Sequence, residues 1–275
     1  MKTPIEVEAS RDNAVAKVSI PLVGEGTDAK AQAALETLRE ELLPTTVGKV
    51  EGVDYAVTGA TALDKDWEAS MLKTAPLVFG FVLIFAFMIL LVSFRSIVVA
   101  LKAIALNLLS VGAAYGLLVM LFQWGWGESL LGFESNGGIA AWLPMFLFVI
   151  LFGLSMDYHV FILSRVREAY DRGLSNEDAV AYGIKSSAGV VTSAAAVMVG
   201  TFSVFALLPV IELKEMGIGL AAAVLIDATL VRAVLLPATM KLLGDRNWYL
   251  PKWLEWLPRL EHEPAAPEAP AIPAA

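Results

Sequence analysis

Leu151–Glu168, LFGLSMDYHVFILSRVRE, is the stretch that decides the fold. It starts as an apolar run, carries Asp157, Tyr158 and His159 near its middle, and ends in Arg165 and Arg167. Extended back to Ile139 and stopped at Ser164, it is long enough to cross a bilayer, which takes ~20 mostly apolar residues. An aspartate within such a span costs roughly 2.5–3.5 kcal/mol on insertion scales, so it is rarely kept without a partner or a task. On a helix rising ~1.5 Å per residue, Asp157 lies roughly 12 Å from Arg165. That places its carboxyl within the hydrocarbon, nearer the arginine end.

Composition agrees with a membrane protein. Of 275 residues, 57% are hydrophobic and only 17% charged, against about 45–50% and about 25% in a soluble domain. The absence of cysteine removes disulfides and thiolate metal sites. A formal charge of −8 argues against nucleic acid, which calls for a basic face. The N-terminal MKTPIEVEAS has no apolar core of a signal peptide.

Working outward, the chain divides into four parts: residues 1–72, 73–245, 246–260 and 261–275. The first reads as a partial α+β piece. IEVEA and AVAKVSIPLV alternate as strands, Val23–Thr27 as a turn, Asp28–Leu43 as an amphipathic helix and Val53–Thr58 as a third strand. The order β-β-α-β is incomplete for a compact sheet and reads as the tail of something larger. Asp54, Asp64 and Asp66 lack the spacing of a calcium loop and read as solvated charges.

Five spans are expected in 73–245: Pro76–Phe94, Ile97–Gln123, Ile139–Ser164, Ser186–Pro209 and Met216–Leu243. The tight turn SFRS joins the first two, and Lys102 can snorkel from the second. Arg165–Lys185 is a charged connection in which Ser175, followed by Glu177 and Asp178, caps a short surface helix. Trp248, Trp253 and Trp256 mark 246–260 as an interfacial aromatic segment, and the Pro/Ala-rich 261–275 as a disordered tail. The fold class is a membrane α-helical bundle of five helices with a small N-terminal α+β extracytoplasmic piece.

Lys and Arg crowd one set of span ends (Arg95, Lys102, Arg165, Arg167, Arg172, Lys185, Lys241, Arg246, Lys252 and Arg259). The opposite loops hold only Lys214. The basic side is expected to be cytoplasmic, with the N-terminal piece outside and the C-terminus inside. Exporting that piece without a signal asks for a span before it, or for a first helix that translocates it unaided.

GLSMDYHVFILSRVRE resembles the signature of the MMPL branch of the resistance–nodulation–division transporters. The likeness continues through KSSAGVVTSAAAVMVGTFSVFALL, MGIGLAAAVLIDATLVRAVLLPATMKLLGDRNWYLP and the SFRS turn, from about Ala14 to Leu257. Full-length members have two repeated halves, each with one helix, an exported porter domain and five helices. The resemblance implies the end of the second porter domain and the last five helices. It also implies export of lipids or other hydrophobic compounds on the proton gradient, with no bound cofactor, through an Asp-Tyr relay that Asp157 and Tyr158 match. The first-half Asp-Tyr pair is absent here, so the implied partner is the missing N-terminal half or a second copy, alongside membrane lipids. The alternative is a truncated or accessory membrane subunit with no transport of its own.

Four residues stand as relay or packing support. His159 occupies a position where some members carry Glu. Ser193, with Thr192, offers a hydroxyl to Asp157. Asp227 and Arg232, about 140° apart on an α-helix, are expected to serve neighbouring helices rather than each other. Ser186, Ser187, Gly189, Thr192, Ser193 and Gly200 in the fourth span, with Gly112 and Gly116 in the second, are expected to allow close helix approach. An enzyme is disfavoured: no GxGD motif surrounds either span aspartate, two histidines make no metal site, and no phosphate-binding loop appears.

Overall fold

The computed structural model describes residues 5–12, 14–21, 29–135 and 137–258. The expected Val23–Thr27 turn, Arg259 and the 261–275 tail lie outside the described residues. An antiparallel hairpin, β1 (Glu6–Ala9) and β2 (Ala16–Ser19), pairs Glu6 with Ser19 and Ala9 with Ala16. It is followed by α1 (Ala29–Glu36), a π-helical turn Thr37–Leu42 and the single turn α2 (Leu43–Thr45). The third strand is not formed: residues 53–58 carry no regular structure, since no described strand lies beside them to share a ladder. Arg39 instead donates to the Val57 carbonyl at 3.1 Å and pairs with Asp66 at 2.6 Å.

Among the described residues, five helices are long and apolar enough to cross a membrane. The first, α3 (Ala60–Phe94), starts well before Pro76, which it carries inside the helix. Arg95 then adopts the left-handed conformation (φ 49°) and Ser96 caps α4 (Ile97–Leu118), its hydroxyl accepting from Val99 N–H at 3.1 Å. A π-helical turn, Val119–Gln123, ends that span, and the short α5 (Glu128–Leu131) lies in the loop beyond it. The third span, α6 (Leu143–Asp171), is displaced from the expected Ile139–Ser164. Pro144 sits in its first turn, where a missing N–H costs nothing. Its far end is lengthened by the pairs Arg165–Glu168, Arg167–Asp171 and Arg172–Glu168, all three or four residues apart.

Ser175 does cap a helix, accepting from Asp178 N–H at 3.1 Å. That helix is no short surface element but the start of the fourth span, α7 (Asn176–Phe205). The last span is continuous: α8 (Ile211–Ile226), a π-helical stretch Asp227–Leu235 and α9 (Leu236–Leu243). At its N-terminal end the Lys214 ammonium donates to the Leu131 carbonyl, and Glu215 accepts from Ala140 N–H at 3.2 Å, tying the 124–142 loop to α8.

Past Gly244 the chain folds back as a strap across the α3–α4 turn. Arg95 donates to the carbonyls of Leu257 (2.8 Å) and Glu255 (3.0 Å), and Ser96 Oγ to that of Asn247 (2.5 Å). Leu254 and Leu257 pack on Leu91. This cover is why Lys102 does not snorkel: it is buried and donates to Asn247 Oδ1 at 3.0 Å.

The close helix approaches fall at other glycines than expected. A Cβ at Gly112, Gly116, Gly189 or Gly200 would meet nothing within 4 Å. At Gly183 it would stand 2.8 Å from Val166 N, and at Gly217 it would stand 2.6 Å from Phe202 O. Those two glycines set the α6–α7 and α7–α8 contacts. Gly217→Val is therefore expected to cost at least ~1–3 kcal/mol by overpacking, whereas Gly112→Ala is expected to be neutral or to stabilise by up to ~1 kcal/mol. Thermal melting of the two variants in one detergent tests both; equal melting temperatures would contradict the assignment.

Candidate functional site

Alternate sides of α6 carry different chemistry. Residues two apart on a helix lie about 200° apart, so Ser155 and His159 share one face and Asp157 takes the other. Asp157 is the middle residue of α6, its side chain is exposed on this chain, and it makes no hydrogen bond or ion pair among the described residues. Gly153, one turn earlier on the same face, is exposed too. Ser193 does not reach Asp157: it is exposed on α7 and donates to its own helix, to Val190 O at 3.0 Å. Tyr158 stands between the two faces, half-buried, and reaches α7, its hydroxyl 3.6 Å from Met198 Sδ.

The inward face meets a buried polar cluster. Asp227 and Arg232 form a direct ion pair, 8% and 4% exposed, contrary to the expectation that they serve separate neighbours. The reason lies in the backbone. Asp227–Leu235 is π-helical, and a π-helix closes on residues five apart, which brings the side chains of i and i+5 together. Ser155 Oγ lies 2.7 Å from Asp227 Oδ2 and 2.8 Å from Asn107 Oδ1 on α4; its one proton serves one of them at a time. Arg232 also donates to the Ser155 carbonyl at 3.0 Å, and its guanidinium carbon stands 4.6 Å from the centre of the Tyr158 ring. One charge pair thus ties the last span to α6 and to the Tyr158 ring.

Beside the pair is a small cleft between α4, α6, α7 and α8, lined by Asn107, Ser155, Tyr158, Met198, Asp227 and Arg232 among others. His159 is fully buried one turn below Ser155, its Nδ1 3.4 Å from the Ser155 carbonyl. Asn107 and Ser155 escaped the sequence reading. Asn107, between Leu106 and Leu108, was the one amide in an otherwise apolar stretch of its span and is the signal that was there to find.

Five apolar helices around a buried ion pair define a polytopic membrane protein. The chain matches the model of the MMPL family over residues 5–264 and belongs to that family. It is 43% identical, over 94% of its length, to the "Mycolic acid-containing lipids exporter MmpL11" of Mycolicibacterium smegmatis, of which it covers 27%. With the "Heme uptake protein MmpL11" of Mycobacterium tuberculosis it shares 43% identity over 88% of the chain and 25% of that relative. With the "Trehalose monomycolate exporter MmpL3" of Mycolicibacterium smegmatis it shares 32% over 74% of the chain and 20% of the relative. The chain thus spans about a quarter of the length of these relatives.

Proposed function

We propose that the chain supplies the C-terminal membrane half of a proton-driven exporter of lipids or other hydrophobic compounds, with Asp157 and Tyr158 as its half of the proton relay. The observation that carries this reading is the position of Asp157: the centre of a membrane-spanning helix, on an exposed face, without a partner among the described residues. A carboxyl in that place is stabilised only when protein or water covers it. The neighbouring face of α7 supports such a cover, because Ser186, Gly189, Thr192, Ser193 and Gly200 are exposed and small enough for another helix to approach. The covering partner is the N-terminal half that the longer relatives possess, or a second copy. Asp227 and Arg232 hold Tyr158 in place and position the relay rather than exchange the proton. The concentration of Lys and Arg at one set of span ends supports a cytoplasmic strap and an outward hairpin.

Two relatives bear lipid-exporter names, which favours lipids as the cargo. The test is export of labelled lipid by the full-length protein in cells treated with a protonophore at constant ATP. Export is expected to stop with the proton gradient. Export that continues would sink proton coupling, and export that never occurs would favour the accessory-subunit alternative.

A further inference from the structure

The strap beyond Gly244 has two faces. Leu254 and Leu257, three residues apart, pack onto Leu91 and are only 6% and 7% exposed. Trp253 and Trp256, at the same spacing, take the other side and are 71% and 76% exposed, with Tyr249 at 59%. The transport chemistry proposed above makes no use of these rings. Large aromatic side chains gathered on an open surface mark a contact with something beyond it. The place of the strap says what that is. On α3, Leu77, Phe81, Ile84 and Met88 follow one another three or four residues apart, each at least half exposed, a stripe suited to lipid along a membrane span. Four residues further, Val92 packs on the Leu91, Leu254 and Leu257 cluster. The strap therefore sits at the foot of the lipid-facing stripe. There Arg95 ends the span and donates to the carbonyls of Leu257 and Glu255. Arg246 and Lys252 are exposed on the same segment.

We infer that the outward face of the strap docks on the bilayer surface at the basic end of the bundle, and that this contact clasps the strap over the α3–α4 turn. The α3 stripe and the strap face are continuous, so whatever covers the first covers the second. The large side chains of that stripe allow no close helix approach of the kind the small residues of α7 allow, which favours lipid over protein. Indole suits the headgroup level, where its carbon skeleton leaves water and its N–H keeps a polar partner. The ammonium of Lys252 and the guanidinium of Arg246 meet headgroup phosphates at that level. Lipid then holds the segment from outside. From inside it is held by Arg95 and by Ile97 N–H, which donates to the Tyr249 carbonyl at 3.3 Å. The roof over Lys102 depends on the same contact, because its acceptor, Asn247, belongs to the strap.

Tryptophan fluorescence of the full-length protein tests the docking, in phosphatidylcholine liposomes brominated near the headgroup end of the acyl chains. The signal of the strap is the difference between the wild type and the double variant Trp253→Phe with Trp256→Phe, both at exposed positions. That difference is expected to fall several-fold in brominated liposomes and to ignore iodide in the water. Quenching by iodide and not by bromine overturns the docking. Quenching by neither places the rings under protein and overturns it equally. Hydrogen exchange in plain liposomes tests the clasp. Trp253→Gln with Trp256→Gln is expected to speed exchange of the Ile97 amide several-fold, because it frees the segment that supplies the Tyr249 carbonyl. Unchanged exchange there would mean that lipid does not hold the strap closed, and overturns the clasp. Neither readout depends on export, so a failure of the proton-driven reading leaves both standing.

Discussion

Asp157→Asn is expected to reduce export by the full-length protein to background while leaving its amount in the membrane unchanged. The amide keeps the size of the carboxyl and its place on α6 but cannot give up or take on a proton near neutral pH. Within this chain the substitution breaks nothing, because Asp157 makes no bond to any described residue and its side chain is exposed. Insertion becomes easier if it changes at all, since an ionisable side chain near mid-bilayer costs roughly 2.5–3.5 kcal/mol. Asp157→Glu keeps the titrating group but moves it by about one bond along the side chain, so partial export is expected. Export by each variant, normalised to its membrane abundance, separates the outcomes. Wild-type export in Asp157→Asn would remove the carboxyl from the mechanism. Loss of both export and abundance would instead point to a packing role against the partner that covers this face.

Most of the fold was legible because hydropathy is a long-range average. Runs such as Pro76–Phe94 and Ile97–Gln123 exceed what a bilayer needs, and SFRS between them leaves room only for a turn. Capping was legible at Ser175 for the same local reason that it works: a hydroxyl three residues before an unbonded N–H. What failed depended on contacts that sequence spacing does not encode. Gly112 and Gly183 look alike in the chain, yet only Gly183 has a neighbouring backbone against it. Lys102 seemed free to snorkel because the strap that buries it lies about 145 residues further along, at Asn247. The alternation of α6 could have been read from period alone, since Ser155 and His159 must face away from Asp157. The identity of what each face meets could not.

The Asp227–Arg232 pair is the clearest such failure and yields the largest expected effect on stability. The 140° argument against it assumed an α-helix, and the π-helical stretch Asp227–Leu235 removes that assumption. Arg232→Met is expected to destabilise the bundle by ~3–5 kcal/mol, because it strands a buried carboxylate whose remaining neighbour is the Ser155 hydroxyl. The double variant Asp227→Leu with Arg232→Met removes both charges and is expected to recover most of that loss, since replacing a buried pair by apolar groups is often neutral or stabilising by ~1–4 kcal/mol. Melting temperatures of the wild type, both single variants and the double variant give the coupling energy. Export by the double variant then separates packing from positioning. If the pair only fills the bundle, a recovered fold brings recovered export. If Arg232, 4.6 Å from the ring centre, holds Tyr158 for the proposed relay, the double variant melts like the wild type and exports poorly. Restoring the charge alone through Arg232→Lys would not rescue it, because an ammonium has no planar group to lie over the Tyr158 ring while Nη2 donates to Asp227 and Ser155.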